Sequence, residues 1–76
     1  MQIDLSAARK TVRELAELLE EIDGTVVDDA PSREGARQRT DLSHKLQRCT
    51  HLGNRASVEV TEVFQTFRGW DSPAGT

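Results

Sequence analysis

Two stretches of the chain repeat apolar residues at alternating steps of three and four, the spacing of helices that pack along a narrow stripe. The first stripe comprises Leu5, Ala8, Val12, Leu15, Leu19 and Ile22. The second comprises Leu42, Leu46, Cys49, Gly53, Ala56, Val60, Val63 and Phe67. The pattern predicts one helix over about residues 5–27, a turn over about 28–33 and a second helix over about 34–68. Gly53 lies on the second stripe, where its missing side chain would let a facing backbone come close.

The first helix has suitable residues at both ends. Asp4 or Ser6 can cap it, because each side chain can accept a hydrogen bond from a free backbone N–H. Gly24 suits the position after the last helical residue and would end the helix near Asp23. Val26 continues the apolar stripe and favours the later end that we predict.

Part of the second stripe also has features of a strand. Val58 to Phe64 is rich in β-branched residues and partly alternates, and Gly53-Asn54 could end a shorter helix before it. Glu62 breaks the alternation, whereas the helical spacing continues without a break. We therefore predict a helix here and keep the strand as the alternative.

The charges predict how the two helices pair. Residues 14–29 contain seven acidic residues and no basic one, whereas residues 32–55 contain six basic residues against two acidic ones. Folding back brings the acidic end of the first helix beside the basic start of the second. We expect an all-α fold, an antiparallel, coiled-coil-like two-helix hairpin that can complete a four-helix bundle with a partner or a second copy.

The second helix is the longer one, which predicts an exposed end. If the chain reverses near Pro31, Leu19 lies beside Leu42 and Leu5 beside Ala56, so the apolar residues that follow extend past the first helix. Exposed aromatic side chains are typical of binding surfaces. The predicted partner-binding residues are Val60, Val63, Phe64, Phe67 and Trp70. In the alternative, Trp70 folds back over the N-terminus as a lid.

Composition restricts the class of protein. The chain has 76 residues, a net charge of −3 and one cysteine, which fits one small domain over residues 1–70 followed by a flexible tail at 71–76. No apolar run approaches the length of a membrane span. The N-terminus lacks a basic region followed by an apolar run. We expect a cytoplasmic protein, or one exported without a cleavable signal peptide.

The sequence does not predict an enzyme. His44, Cys49 and His51 come close in sequence, but no carboxylate or second cysteine completes a metal-ligand set. Cys49 lies on the apolar stripe and is interpreted as a small core residue. We expect no catalytic residues, no metal site and no cofactor.

The basic stretch 33–55 indicates an alternative function, the binding of nucleic acid. A small regulator could bind nucleic-acid phosphates through Arg33, Arg37, Arg48 and Arg55. The acidic neighbouring helix and the negative net charge disfavour this alternative. We favour binding of another α-helical protein, or of a second copy as a homodimer.

The end of the second helix carries an aromatic-x-x-x-acid pattern, with Phe67 and Asp71 in Phe67-Arg68-Gly69-Trp70-Asp71. With the short helical hairpin, this pattern resembles the WXG100-like small proteins of type VII secretion systems. The turn of this chain contains no Trp-x-Gly, and Phe67 stands where the family commonly has Tyr. The resemblance implies a secretion motif at Phe67 and Asp71, and a role as a secretion-system adaptor or secreted partner.

Overall fold

The chain folds as two helices, α1 at Ser6–Ile22 and α2 at Arg33–Asp71. A computed structural model describes residues 2–27 and 29–71, with side chains up to residue 69. The helices pack against each other in a slender body of 66 × 20 × 13 Å. The predicted all-α hairpin is therefore confirmed. Val58 to Phe64 lies within α2, so the strand alternative is wrong.

The start of α1 is fixed by Asp4. Its carboxylate accepts a hydrogen bond from the Ser6 backbone N–H at 2.9 Å and another from the Ser6 hydroxyl. These two bonds, the hydroxyl one above all, lower the pKa of Asp4, because they stabilise the ionised form. The capping position itself is occupied by Leu5, so neither Asp4 nor Ser6 is the cap as predicted; Asp4, one residue earlier, accepts from the first helical residue.

α1 ends at Ile22, five residues before the predicted end near residue 27. Gly24 has a φ of +80°, a left-handed conformation that a glycine adopts without strain, and the Thr25 N–H donates to the Ile22 carbonyl at 3.0 Å. Gly24 thus ends the helix, and Val26 lies beyond it although it continues the apolar spacing.

α2 begins after Ser32, whose hydroxyl accepts a hydrogen bond from the Gly35 N–H at 2.9 Å. The connection between the helices is therefore residues 23–32, longer than the predicted turn at 28–33. α2 continues through Gly53 to Asp71, beyond the predicted end near 68. Asp71, predicted as the start of a flexible tail, is helical, and the rest of that tail, 72–76, lies outside the described residues.

The antiparallel register differs from the predicted one. Thr11 bonds to Glu59, and Glu21 forms an ion pair with Lys45. Leu19 therefore does not lie beside Leu42, nor Leu5 beside Ala56, and α1 sits further along α2 than predicted. Non-helical chain advances further per residue than the 1.5 Å of a helix. Thr25 to Val27 accordingly lie along the first turns of α2, in a groove that includes Leu42 and Lys45.

The buried residues follow a stripe rotated from the predicted one. On α1 Ala8 and Thr11 are buried, and on α2 Leu52 and Ala56. In heptad lettering, we assign the inward positions a and d. Position a holds Ala8, Leu15, Ile22, Leu42, Cys49, Ala56 and Val63; position d holds Thr11, Leu18, Lys45, Leu52 and Glu59. The a positions of the predicted stripes do face the other helix, but the neighbouring d positions complete the core.

The core includes one polar contact between the helices. The Thr11 hydroxyl, on a residue that is only 3 % exposed, donates to the Glu59 Oε1 at 2.6 Å. A hydrogen bond to a carboxylate stabilises more than a neutral one. Because it joins residues 48 positions apart, this contact selects one register of the hairpin.

Replacing Thr11 by Val should lower the free energy of unfolding by about 1–2 kcal/mol, because the isosteric side chain leaves the Glu59 carboxylate without its donor. Urea denaturation followed by circular dichroism measures the change. The control is Thr50→Val, since that exposed hydroxyl bonds only to the Leu46 carbonyl of its own helix. Equal shifts of the two midpoints would contradict the assigned role of Thr11.

Candidate interaction surface

The other half of the predicted stripes lies on one exposed flank of the hairpin. These residues occupy heptad position e, beside the core, and recur every seven residues along each helix. Each of their large side chains is between 40 % and 50 % exposed. We call this flank the apolar edge; it comprises Leu5, directly before α1, Val12 and Leu19 of α1, and Leu46, Val60 and Phe67 of α2.

A groove joins the two helices along the apolar edge. It has a volume of about 410 Å³ and brings Leu5, directly before α1, and Val12 of α1 together with Val60 of α2. Ala16 leaves it open on the α1 side, and two arginines border it. The residues around the groove are Leu5, Ala8, Arg9, Val12, Arg13, Ala16 and Val60. At this groove the two helices therefore build the apolar edge together.

The opposite flank is charged. The Lys45 ammonium lies 3.3 Å from the Glu21 carboxylate of α1 and 3.4 Å from Asp41 of its own helix. The hydrogen bond that the Lys45 ammonium donates to Glu21, followed by the charge of Asp41, raises the pKa of Lys45. A groove of about 300 Å³ on this flank places Arg48 with Glu14 and Glu21. We call the g positions on this flank the charged edge; they include Glu14, Glu21, Asp41, Arg48, Arg55 and Glu62.

Charge is distributed unevenly around α2. Between residues 42 and 67, every acidic side chain and every lysine or arginine occupies heptad position d or g; they are Lys45, Arg48, Arg55, Glu59 and Glu62. Positions b, c, e and f of this segment carry no Asp, Glu, Lys or Arg. Depletion of charged residues is a property of the central part of protein–protein interfaces.

Threonines of α2 further lower its polarity; three of them lie on its outward side and one, Thr66, at an inward position d. Four hydroxyls donate to the carbonyl oxygen four residues earlier, at 2.8–3.3 Å. Because the hydroxyl is satisfied within the helix, the methyl group can be covered by a partner without leaving a donor unpaired. These residues are Thr40, Thr50, Thr61 and Thr66.

The predicted partner-binding residues fall into three groups. Val60 and Phe67 belong to the apolar edge, and Phe64, one turn from Val60, is 55 % exposed. The Arg68 guanidinium lies 5.7 Å from the centre of the Phe64 ring, so one face of this ring is already in contact. Val63 is half-buried on the inward side of α2. Trp70 belongs to α2, but its side chain lies outside the described residues.

The predicted overhang is shorter in the structure. Ile3 and Asp4, ahead of α1, share a groove of about 340 Å³ with Val63 and Thr66. Val63, predicted to extend past the first helix, lies beside the residues that precede α1, because the register moves α1 along α2. The lid alternative for Trp70 lies outside the described side chains. Phe67 and Asp71 fall within one continuous helix, four residues apart.

Four residues of the apolar edge are absent from the predicted binding set. The sequence predicts them as buried seam residues, yet they are exposed; they are Leu5, Val12, Leu19 and Leu46. The sequence does indicate an additional apolar surface. Leu18 and Leu52 lie next to the predicted stripes, so each helix has more apolar positions than the contact between two helices requires.

No described helix carries an apolar segment of the length and composition needed to cross a membrane. No protein-family model, curated protein sequence or solved structure matches this chain significantly.

Proposed function

We propose that the chain is a non-enzymatic interaction module whose apolar edge binds another α-helical surface. The observation that carries the proposal is the pairing of two flanks of opposite character, with charges along one and exposed apolar side chains along the other. The bound surface would contribute the helices that complete a four-helix bundle. Val60 and Phe67 serve as anchors, together with Leu5, Val12, Leu19 and Leu46.

The number of apolar positions per heptad supports this proposal. A pair of helices that packs only with itself needs apolar residues at a and d, whereas helices of a larger bundle present a third position at e or g. Both helices of this hairpin present that third position, and both present it on the same flank. Association would bury it and add to the small core of the hairpin itself.

Site-specific photocrosslinking tests the proposal. A benzophenone amino acid placed at Val60 in the chain expressed in its own cells should form covalent adducts of discrete size, because the side chain lies on the apolar edge. The matched control carries the same group at Arg55, whose side chain is 68 % exposed on the charged edge of the same helix. We expect the Arg55 variant to yield at least about tenfold less adduct than the Val60 variant, since exposed rim positions rarely become fully buried in a complex.

Equal yields at the two positions, or none at Val60, would contradict the proposal. If adducts form at Arg55 and nuclease treatment reduces their size, the crosslinked partner is a nucleic acid. That result would instead favour the alternative in which the basic stretch 33–55 binds nucleic acid. Arg48 shares its groove with Glu14 and Glu21, which weakens the positive field that phosphates require. Export through a type VII secretion system stays a prediction from Phe67 and Asp71.

A further inference from the structure

The charged side chains of α1 and of Asp23 directly after it form two groups of opposite charge. The first half of α1 carries three basic side chains and no acidic one, and the segment from residue 14 to 23 carries five acidic side chains and no basic one. The first set is Arg9, Lys10 and Arg13; the second is Glu14, Glu17, Glu20, Glu21 and Asp23. Such a helix complements its own surface when a copy runs in the opposite direction and repels a parallel copy.

The charges nearest the apolar edge belong to this pattern. Arg9 and Arg13 border the groove, as does Ala16. Glu20 follows Arg13 by seven residues and Asp23 follows Ala16 by seven, so each pair repeats one heptad position. Both basic groups at the groove therefore have acidic counterparts further along the same flank of α1.

One antiparallel register pairs all of these groups at once. With a two-fold axis at Ala16, Arg13 lies opposite Glu20 of the second copy and Arg9 lies opposite Asp23 of the second copy. Val12 then meets Leu19 of the second copy on the apolar edge, and the small Ala16 side chain allows the helices to approach closely. Most homodimers have this two-fold symmetry, in which each contact occurs twice.

The same register accounts for one further exposed residue. Val26, directly after α1, is 92 % exposed, more than any other large apolar side chain among those described. The two-fold axis at Ala16 brings it opposite Leu5 of the second copy. An axis at Val12 would instead place Glu20 opposite Asp4 of the second copy, which is repulsive.

We propose that the partner on the apolar edge is a second copy of this chain, packed through antiparallel α1 helices about a two-fold axis at Ala16. The inference rests on the proposed function and specifies its partner. Arg13 with Glu20 and Arg9 with Asp23 set the direction and register of the pair, and Val12, Leu19 and Val60 supply its apolar contact.

Sedimentation equilibrium of the full chain at low ionic strength tests this arrangement. Wild type should be a dimer. Arg13→Glu and Glu20→Arg should each weaken the dimer by at least about tenfold, because each variant turns two attractive pairs into repulsive ones. The double variant carrying both changes should return to within about threefold of wild type, since the pair is restored with its signs exchanged.

The control is Arg55→Glu, which changes the net charge as Arg13→Glu does but lies on the charged edge, and it should leave the dimer constant within about twofold of wild type. Circular dichroism establishes that every variant keeps its helices. A double variant as weak as the single ones, or a chain that is monomeric at every concentration, would overturn the inference. Either result leaves the proposed function standing if Val60 still crosslinks to a different protein, so the two failures are distinguishable.

Discussion

Leu52→Ala should remove most of the stability of the hairpin, lowering the free energy of unfolding by about 2–3 kcal/mol. Leu52 is the largest of the buried apolar residues, at 5 % exposed, and the other two are alanines. Truncation therefore removes the one large side chain among the buried apolar residues described. A domain with so small a core has only a few kcal/mol to lose, so we expect a large unfolded fraction at room temperature in dilute solution.

Leu46→Ala is the matched control for this prediction. It removes the same atoms from the same helix at a position that is 48 % exposed on the apolar edge. In dilute solution its denaturation midpoint should fall much less than that of Leu52→Ala, whereas its self-association should weaken. Urea denaturation at two protein concentrations separates these effects. Equal losses in dilute solution would show that the assignment of inward and outward positions is wrong.

The second large effect is expected at Gly35, where Ala should destabilise the chain by about 2 kcal/mol through overpacking and loss of the helix cap. A Cβ at this position would lie 2.9 Å from the Ala30 carbonyl oxygen and 3.0 Å from the Ser32 hydroxyl. The carbonyl belongs to the backbone and cannot swing away. The turn must shift, and the Ser32 hydroxyl would lose its hydrogen bond from the N–H of residue 35.

Gly53→Ala provides the comparison for Gly35. It lies within α2, and a Cβ there would meet nothing within 4 Å. Alanine at this position should therefore stabilise the hairpin by about 0.5–1 kcal/mol, the usual gain over glycine inside a helix. Thermal unfolding of the two variants should give shifts of opposite sign. A gain at both glycines would contradict the close packing of the turn against residue 35.

The open space at Gly53 also corrects a prediction from the sequence. Its place on the apolar stripe suggested that a facing backbone approaches there, but within the hairpin this position lies toward the apolar edge. Spacing alone identifies which residues share a face of α2. It does not identify which side of that face the other helix covers, because that depends on where the chain reverses.

The two-helix architecture itself could be predicted, since the heptad spacing and the segregated charges persist over many turns. The exact set of inward-facing positions could not be predicted. Leu18 and Leu52 were left out of the predicted stripes although they complete the core, and Leu19 and Leu46 were included although they are exposed. A stripe of three apolar positions per heptad can be split into a core and an edge in two ways, and Thr11 bonding to Glu59 fixes the choice.

The boundary of α1 illustrates a local signal that competes with a periodic one. Val26 continues the apolar spacing, and Gly24 interrupts the helix two residues earlier. A backbone that turns to positive φ at Gly24 cannot remain helical, whereas a continued spacing can be satisfied by an exposed valine. The displaced boundary then moves the register, which is why the predicted overhang was too long.

The connection at residues 23–32 contains no fully buried residue among those described. Besides the Ser32 cap and the packing against Gly35, it contributes entropically, because it keeps α1 at a high effective concentration beside α2. A protease that cuts near Val26 would leave two peptides, and the fraction of them that pairs would depend on their concentration. Supplied separately, such fragments could reassemble into the hairpin, which makes the chain a candidate for a split reporter.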